Sequence, residues 1–207
     1  MTLNQYQEEA LKTAIYPEDK KIIYPTLGLT GEAGEVADKV KKVIRDNNQE
    51  FTDEKKRQIA LEISDVLWYC ATLSHDIGYT LGEIGKMEKK VTKLNEYQNA
   101  ALTTAIYPTE YKILYPALGM NGEAGEVADK VKKVIRDTVI VRDSNGAIIL
   151  TEDKKEPLAK EIGDVLWYCA TLAHDIGYTL EDIAQMNVDK LASRQQRNKI
   201  GGSGDER

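Results

Sequence analysis

The stretch Gly31–Asp46 reads GEAGEVADKVKKVIRD, and Gly122–Asp137 repeats these sixteen residues without a change. A second motif, DVLWYCATL, occupies Asp65–Leu73 and returns at Asp164–Leu172. Repetition on this scale within 207 residues indicates two related structural units joined in one chain.

The two units are expected at residues 1–93 and 94–207, the second ending in a flexible polar tail. Their apolar residues recur in steps of three and four, the spacing of a buried helical face. In the first unit this face comprises Ile59, Ile63, Val66, Cys70, Leu73 and Ile77. The pattern predicts an all-α protein with four helices in each unit.

Helix boundaries are suggested by capping residues and prolines. The second helix is expected from about Thr26 to Arg45, and the third from about Asp53 to Ile77. Thr80 is a suitable N-cap for a fourth helix that starts near Leu81. Pro17 and its repeat Pro108 are expected to end the first helix of each unit, because proline disfavours helix at the preceding residue.

The second unit carries an insertion that the first lacks. The offset between the copies rises from 91 to 99 residues, so eight residues are extra, at about 138–151. Short β-branched runs there flank Asn145-Gly146, which predicts a β-hairpin that serves either as a lid or as an interface element. Pro157 is expected in the first turn of the helix that follows.

Composition narrows the classes of function. The formal net charge is −6 and no basic stripe is present, which argues against a nucleic-acid partner. No signal peptide or long apolar span is apparent, so we expect a soluble cytoplasmic protein without a membrane partner. Cys70 and Cys169 occupy equivalent apolar positions and are interpreted as reduced core thiols.

Each unit carries four carboxylates in two pairs with i, i+3 spacing. Residues three apart share one face of a helix, and here each pair lies beside the apolar seam. A hard divalent cation would offset the repulsion among four such charges, and an all-oxygen set favours Mg²⁺ or Mn²⁺ over zinc. From spacing alone a solvated acidic face is an equal alternative. The candidate ligands are Glu32, Glu35, Glu62 and Asp65, and then Glu123, Glu126, Glu161 and Asp164.

These acidic pairs, with the surrounding Leu-Gly-x-x-Gly-Glu-Ala-Gly-Glu-Val and Asp-Val-Leu-Trp-Tyr, resemble the MazG-like family of all-α nucleoside triphosphate pyrophosphohydrolases. The resemblance covers nearly the whole chain, once per unit. It implies Mg²⁺-dependent hydrolysis of a ribo- or deoxyribonucleoside triphosphate to a monophosphate and pyrophosphate. Since members of the family usually work as homodimers, the chain resembles a fused pseudo-dimer, which can associate further.

The resemblance also implies roles for particular residues. All eight carboxylates would bind the metal, and Glu32 and Glu123 would take the proton of the attacking water. Asn187 and Lys190 match a phosphate-contacting Asn-x-x-Lys, and Arg194 would assist them. In the first unit the corresponding residues are Glu88 and Val91, so we expect unequal sites. Whether the last helix serves its own unit or its neighbour is left open by the sequence.

The sequence constrains the base-binding residues and the identity of the substrate less than it constrains the metal ligands. Aromatic and amide residues near the seams are candidates for base binding, with a purely structural core role as the alternative for both tryptophans: Trp68, Trp167, Tyr24, Tyr115, Gln5 and Gln98. Within the same superfamily, a dUTPase-like or guanine-selective enzyme is an alternative. From a different class, the chain could be a catalytically weak nucleotide-binding or scaffold module.

Overall fold

The computed structural model describes residues 1–85, 91–137 and 140–199, and the predicted tail lies outside these ranges. Within them each unit has four α-helices, as the sequence predicts. The first unit contains α1 (Leu3–Leu11), α2 (Ile23–Asp46), α3 (Asp53–Asp76) and α4 (Leu81–Ile84). The second contains α5 (Leu94–Leu102), α6 (Leu114–Asp137), α7 (Glu152–Asp175) and α8 (Leu180–Gln196). None of the helices described is both long and apolar enough to cross a membrane.

Threonine caps set the starts of several helices. The hydroxyl of Thr52 accepts from the backbone N–H of Lys55 at the start of α3. Thr80 and Glu83 form a reciprocal capping box at the start of α4, which confirms the predicted cap. The predicted bounds of α2 and α3 agree with the structure to within three residues.

Both predictions about prolines are wrong. Helices α1 and α5 end at Leu11 and Leu102, one and a half turns before Pro17 and Pro108. The reason in the first unit is Thr13, whose hydroxyl donates to the carbonyl of Ala10 at 2.9 Å and so closes the helix end. Pro157 lies in the second turn of α7, because the helix begins earlier, at Glu152, where acidic residues favour an N-terminus.

The two units pack together in one helical bundle. Helices α2 and α6 are in contact, and the amide of Asn121 donates to the carbonyl of Ala33 at 2.6 Å. Thr2 and its repeat Lys93 pair through an isolated β-bridge. Cys70 and Cys169 are fully buried, as predicted, and burial together with the neighbouring Cys70 raises the pKa of the Cys169 thiol. The repeat is therefore a fused pseudo-dimer.

The insertion forms the predicted hairpin, of which residues 138–139 lie outside the described ranges. Strands β1 (Val141–Arg142) and β2 (Ile148–Ile149) pair antiparallel. Ile148 is buried and packs with Ile22 of the first unit. At the turn, a Cβ added to Gly146 would lie 3.1 Å from the Cβ of Asp19. The hairpin thus packs against the first unit, which favours the interface role over the lid.

Candidate metal centre

Helices α2 and α3 bring three of the four predicted carboxylates of the first unit together. Glu32 comes from α2, and Glu62 and Asp65 come from α3. One oxygen from each lies within 4.8 Å of the others. Their neighbours Ala33 and Ile63 are fully buried, so packing of the apolar seams positions the acids. The second unit repeats this cluster with Glu123, Glu161 and Asp164.

The fourth predicted ligand of each unit lies apart. Glu35 and Glu126 belong to neither cluster, and the Glu35 side chain is exposed. Glu126 is still close enough for its charge to act on Glu123. Glu35 and Glu126 each lie about one helical turn beyond the cluster members Glu32 and Glu123. Their role as metal ligands therefore stays a prediction.

In the second cluster, burial and mutual repulsion raise the pKa values of two of the carboxyl groups. Burial raises the pKa of Glu123, and the charges of Asp164 and Glu161 raise it further. Burial followed by the charge of Glu161 likewise raises the pKa of Asp164. An ion pair at 2.8 Å between Lys130 and Glu161 offsets part of the repulsion. Lys39 pairs with Glu62 at the same distance in the first unit.

Helix α8 of the second unit crosses to the acid cluster of the first. The amide nitrogen of Asn187 donates to Asp65 Oδ1 at 3.0 Å. The ammonium of Lys190 pairs with Asp65 Oδ2 at 2.5 Å. The last helix therefore serves the neighbouring unit, which answers the question that the sequence left open.

A cleft of about 360 Å³ opens beside this first cluster. Four lysines line it, together with the acids Glu62 and Asp65: Lys39, Lys42, Lys55 and Lys190. Arg194 is buried and is absent from the lining. A wall of ammonium groups next to clustered carboxylates suits a polyphosphate that carries a divalent cation, since each part meets its opposite charge.

The second cluster has different surroundings. Of the residues that correspond to Asn187 and Lys190, Glu88 lies outside the described ranges, and Val91 is an apolar residue packed against the core. A cavity of about 490 Å³ reaches Asp164 instead, and Tyr97 and Trp167 line it. The two clusters thus have the same types of carboxylate at equivalent positions, but the residues that line the adjacent cavities differ.

Aromatic rings flank the first cluster on the side of α1. Tyr16 and Tyr24 stack with centroids 4.9 Å apart, and Tyr69 meets Trp68 edge-on at 4.9 Å. The charges of Glu32 and Asp65 act on the Tyr69 hydroxyl, so this ring lies near the acids. Sequence reasoning missed Tyr69, although it follows Trp68 in the repeated motif.

The residues predicted to bind a base are largely engaged within the protein. The Trp68 indole donates to Ala10 O at 3.1 Å and to Thr13 Oγ1 at 3.0 Å, and its side chain is buried. Gln5 is exposed and completes the capping box of α1. Gln98 is buried, and its amide donates to two backbone carbonyls. Trp167 donates to Thr104 Oγ1 at 2.9 Å. Tyr24 and Tyr115 are exposed, and a base-binding role for any of these candidates stays a prediction.

Gly28 makes room for Tyr69, and this gives a test of the site's packing. A Cβ at Gly28 would lie 2.1 Å from the Tyr69 ring, so Gly28→Ala must displace the ring. We expect the free energy of unfolding to fall by about 1–3 kcal/mol, the usual cost of overpacking. Gly31→Ala is the control, because nothing lies within 4 Å of its added Cβ. It should gain about 0.5–1 kcal/mol from helix propensity. Urea denaturation followed by circular dichroism measures the free energy of unfolding of both variants. Equal free energies for Gly28→Ala and Gly31→Ala would contradict the prediction.

Fold and site together define an all-α protein with two acidic metal-binding candidates, one of them facing a lysine-lined cleft. Residues 25–94 and 116–198 both match the family described as the MazG nucleotide pyrophosphohydrolase domain. The chain therefore belongs to this family, as the sequence predicts. It is also similar to the Gene 37 protein of Mycobacterium phage L5, with 42% identity over 117 residues, covering 54% of this chain and 96% of that protein. No solved structure matches the chain.

Proposed function

We propose that the protein is a Mg²⁺-dependent pyrophosphohydrolase that converts a ribo- or deoxyribonucleoside triphosphate to its monophosphate and pyrophosphate. The observation that carries this proposal is the first acid cluster, whose carboxylates converge within 4.8 Å next to a cleft lined by four lysines. Membership of the MazG family supports the reaction class. A cytoplasmic location is part of the same proposal.

The donor set of the first cluster fits the metal. Glu32, Glu62 and Asp65 offer only oxygen, which Mg²⁺ prefers, and waters and phosphate oxygens would complete its coordination. Glu35 is proposed as a further ligand. Mn²⁺ has similar preferences and should substitute. When bound, the ion would supply positive charge to the phosphates and lower the pKa of the attacking water.

The protein's own groups then divide the remaining work. Lys39 and Lys190 pair with carboxylates on flexible stems, and we assign them to the phosphates once substrate occupies the cleft. Arg194, on the same helix as Lys190, is proposed to support them. Glu32, which lies on α2, is proposed as the base that accepts the proton of the attacking water.

Turnover is assigned to the first cluster. It has Lys190 from α8, whereas the second has Val91 at the corresponding position. Glu123, Glu126, Glu161 and Asp164 are proposed to retain a metal, with Glu123 in the position of Glu32. Without a lysine from the last helix, the second cluster holds a triphosphate poorly.

The test is release of pyrophosphate and of the matching monophosphate from a panel of ribo- and deoxyribonucleoside triphosphates. We expect release with Mg²⁺ or Mn²⁺ and none with EDTA, and the ranking of substrates names the base. If nucleotides bind and no pyrophosphate appears under any condition, the proposal fails in favour of a nucleotide-binding module.

A further inference from the structure

The amide of Asn187 is enclosed between two side chains from the first unit. Asn187 is fully buried, and so is Tyr6. The hydroxyl of Tyr6 donates to Asn187 Oδ1 at 3.2 Å, and Asn187 Nδ2 donates to Asp65 Oδ1 at 3.0 Å. The three side chains come from α1, α8 and α3, so the chain of hydrogen bonds joins three helices at one point.

This geometry differs from that of a phosphate contact. Asn187 has one acceptor oxygen and one amide nitrogen, and both face protein groups where the side chain is fully buried. A carboxylate only accepts hydrogen bonds, so the nitrogen must face Asp65 and the oxygen must face Tyr6. The resemblance assigned Asn187 to phosphate, whereas its position is behind a metal-ligand candidate.

We propose that Tyr6 and Asn187 are positioning residues that hold the Asp65 carboxylate in the orientation required for metal binding. The inference rests on the proposed metal role of the first cluster. Asn187, which is fully buried, engages Oδ1 of Asp65, whereas Lys190, which lines the cleft, engages Oδ2. Asn187 therefore holds the carboxylate from the buried side, and Lys190 faces the space that the substrate would occupy. Each carboxylate oxygen has two lone pairs, so accepting a hydrogen bond is compatible with binding a cation. Outer groups of this kind commonly set the affinity of a metal site.

The second unit supplies an internal comparison. Tyr97 repeats Tyr6 and is 2% exposed, and Asp164 repeats Asp65. Both line the cavity of about 490 Å³, and no asparagine or glutamine is among the described residues of that lining. The second unit thus has the equivalent tyrosine and aspartate. The side-chain amide that connects this pair in the first unit, Asn187, has no counterpart among the described residues of that lining.

The experiment compares Tyr6→Phe with its pseudo-symmetric control Tyr97→Phe. Each variant removes one hydroxyl and keeps the ring, so the buried packing is preserved. Mn²⁺ binding to the nucleotide-free protein is measured by titration with electron paramagnetic resonance, and thermal unfolding verifies folding. The Mg²⁺ concentration for half-maximal turnover is measured separately.

We expect Tyr6→Phe to weaken Mn²⁺ binding at one site by about 10–100-fold, with turnover largely restored at saturating Mg²⁺. Tyr97→Phe should change the Mn²⁺ affinity and the Mg²⁺ concentration for half-maximal turnover by less than about twofold, because Tyr97 has no amide partner in the described structure.

Asn187→Leu, which keeps the branched shape of the side chain and removes the donor, should reproduce the weakened binding if Tyr6→Phe fails to fold. Equal Mn²⁺ affinities for wild type, Tyr6→Phe and Asn187→Leu would overturn the inference, and so would failure of the wild type to bind Mn²⁺. Failure of the proposed function looks different: Mn²⁺ binding would respond to Tyr6→Phe while no triphosphate was hydrolysed.

Discussion

Asp65→Asn is expected to lower the rate of pyrophosphate release at least about 100-fold, while Asp164→Asn lowers it less than about threefold. A metal ion contributes several kcal/mol of charge stabilisation, and 1.36 kcal/mol corresponds to a tenfold change in rate. Asp65 belongs to the cluster that faces the lysine cleft, and Asp164 belongs to the cluster that faces the second cavity. The substitution is the same chemical change at equivalent positions of the repeat, so the difference reports the surroundings alone.

The measurement is steady-state pyrophosphate release at saturating Mg²⁺, with circular dichroism to confirm that helicity is retained. Asp164→Asn relieves repulsion within its cluster, whereas Asp65→Asn also removes the ion pair with Lys190, so thermal unfolding is measured for both variants. Losses of equal size would show that both clusters work, and would remove the assignment of turnover to the first. A larger loss for Asp164→Asn would reverse it.

Lys190→Ala is expected to raise the KM for triphosphate about 10–100-fold, whereas Val91→Ala changes it less than twofold. Hydrogen bonds to charged groups contribute about 1.5–3 kcal/mol, which sets the size of the effect. Lys190 lines the cleft and pairs with Asp65, while Val91 is an apolar residue packed against the core. The two positions correspond in the aligned repeat, so Val91→Ala controls for truncation of the equivalent side chain, although Lys190 lies in α8 and Val91 lies outside a helix.

Metal affinity separates this effect from that of Tyr6→Phe. Lys190→Ala removes a positive charge beside Asp65, so Mn²⁺ should bind at least as tightly as in the wild type. Lys190→Arg keeps the charge and should recover a large part of the lost affinity for triphosphate. Equal KM changes for Lys190→Ala and Val91→Ala would contradict the assignment of Lys190 to the phosphates.

The local features of the fold follow from short-range patterns in the sequence. Apolar steps of three and four predicted α2, α3 and their repeats, and Thr80 marked the start of α4, because a capping box depends on residues three apart. The convergence of Glu62 and Asp65 follows from the same spacing. The prolines were misleading, because the hydroxyl of Thr13 ends α1 through a local bond that proline spacing does not reveal.

The sequence by itself determined the duplication, the helices and the carboxylates, since each depends on neighbours along the chain or on an exact repeat. Only the tertiary structure decided that α8 crosses to the first unit, that Asn187 lies between Tyr6 and Asp65, and that Tyr69 lies near the acids. Tyr6 and Asn187 are separated by 181 residues, and no local pattern encodes a contact over that distance. Packing of α8 against α1 and α3 creates it, and thereby makes the two related halves unequal.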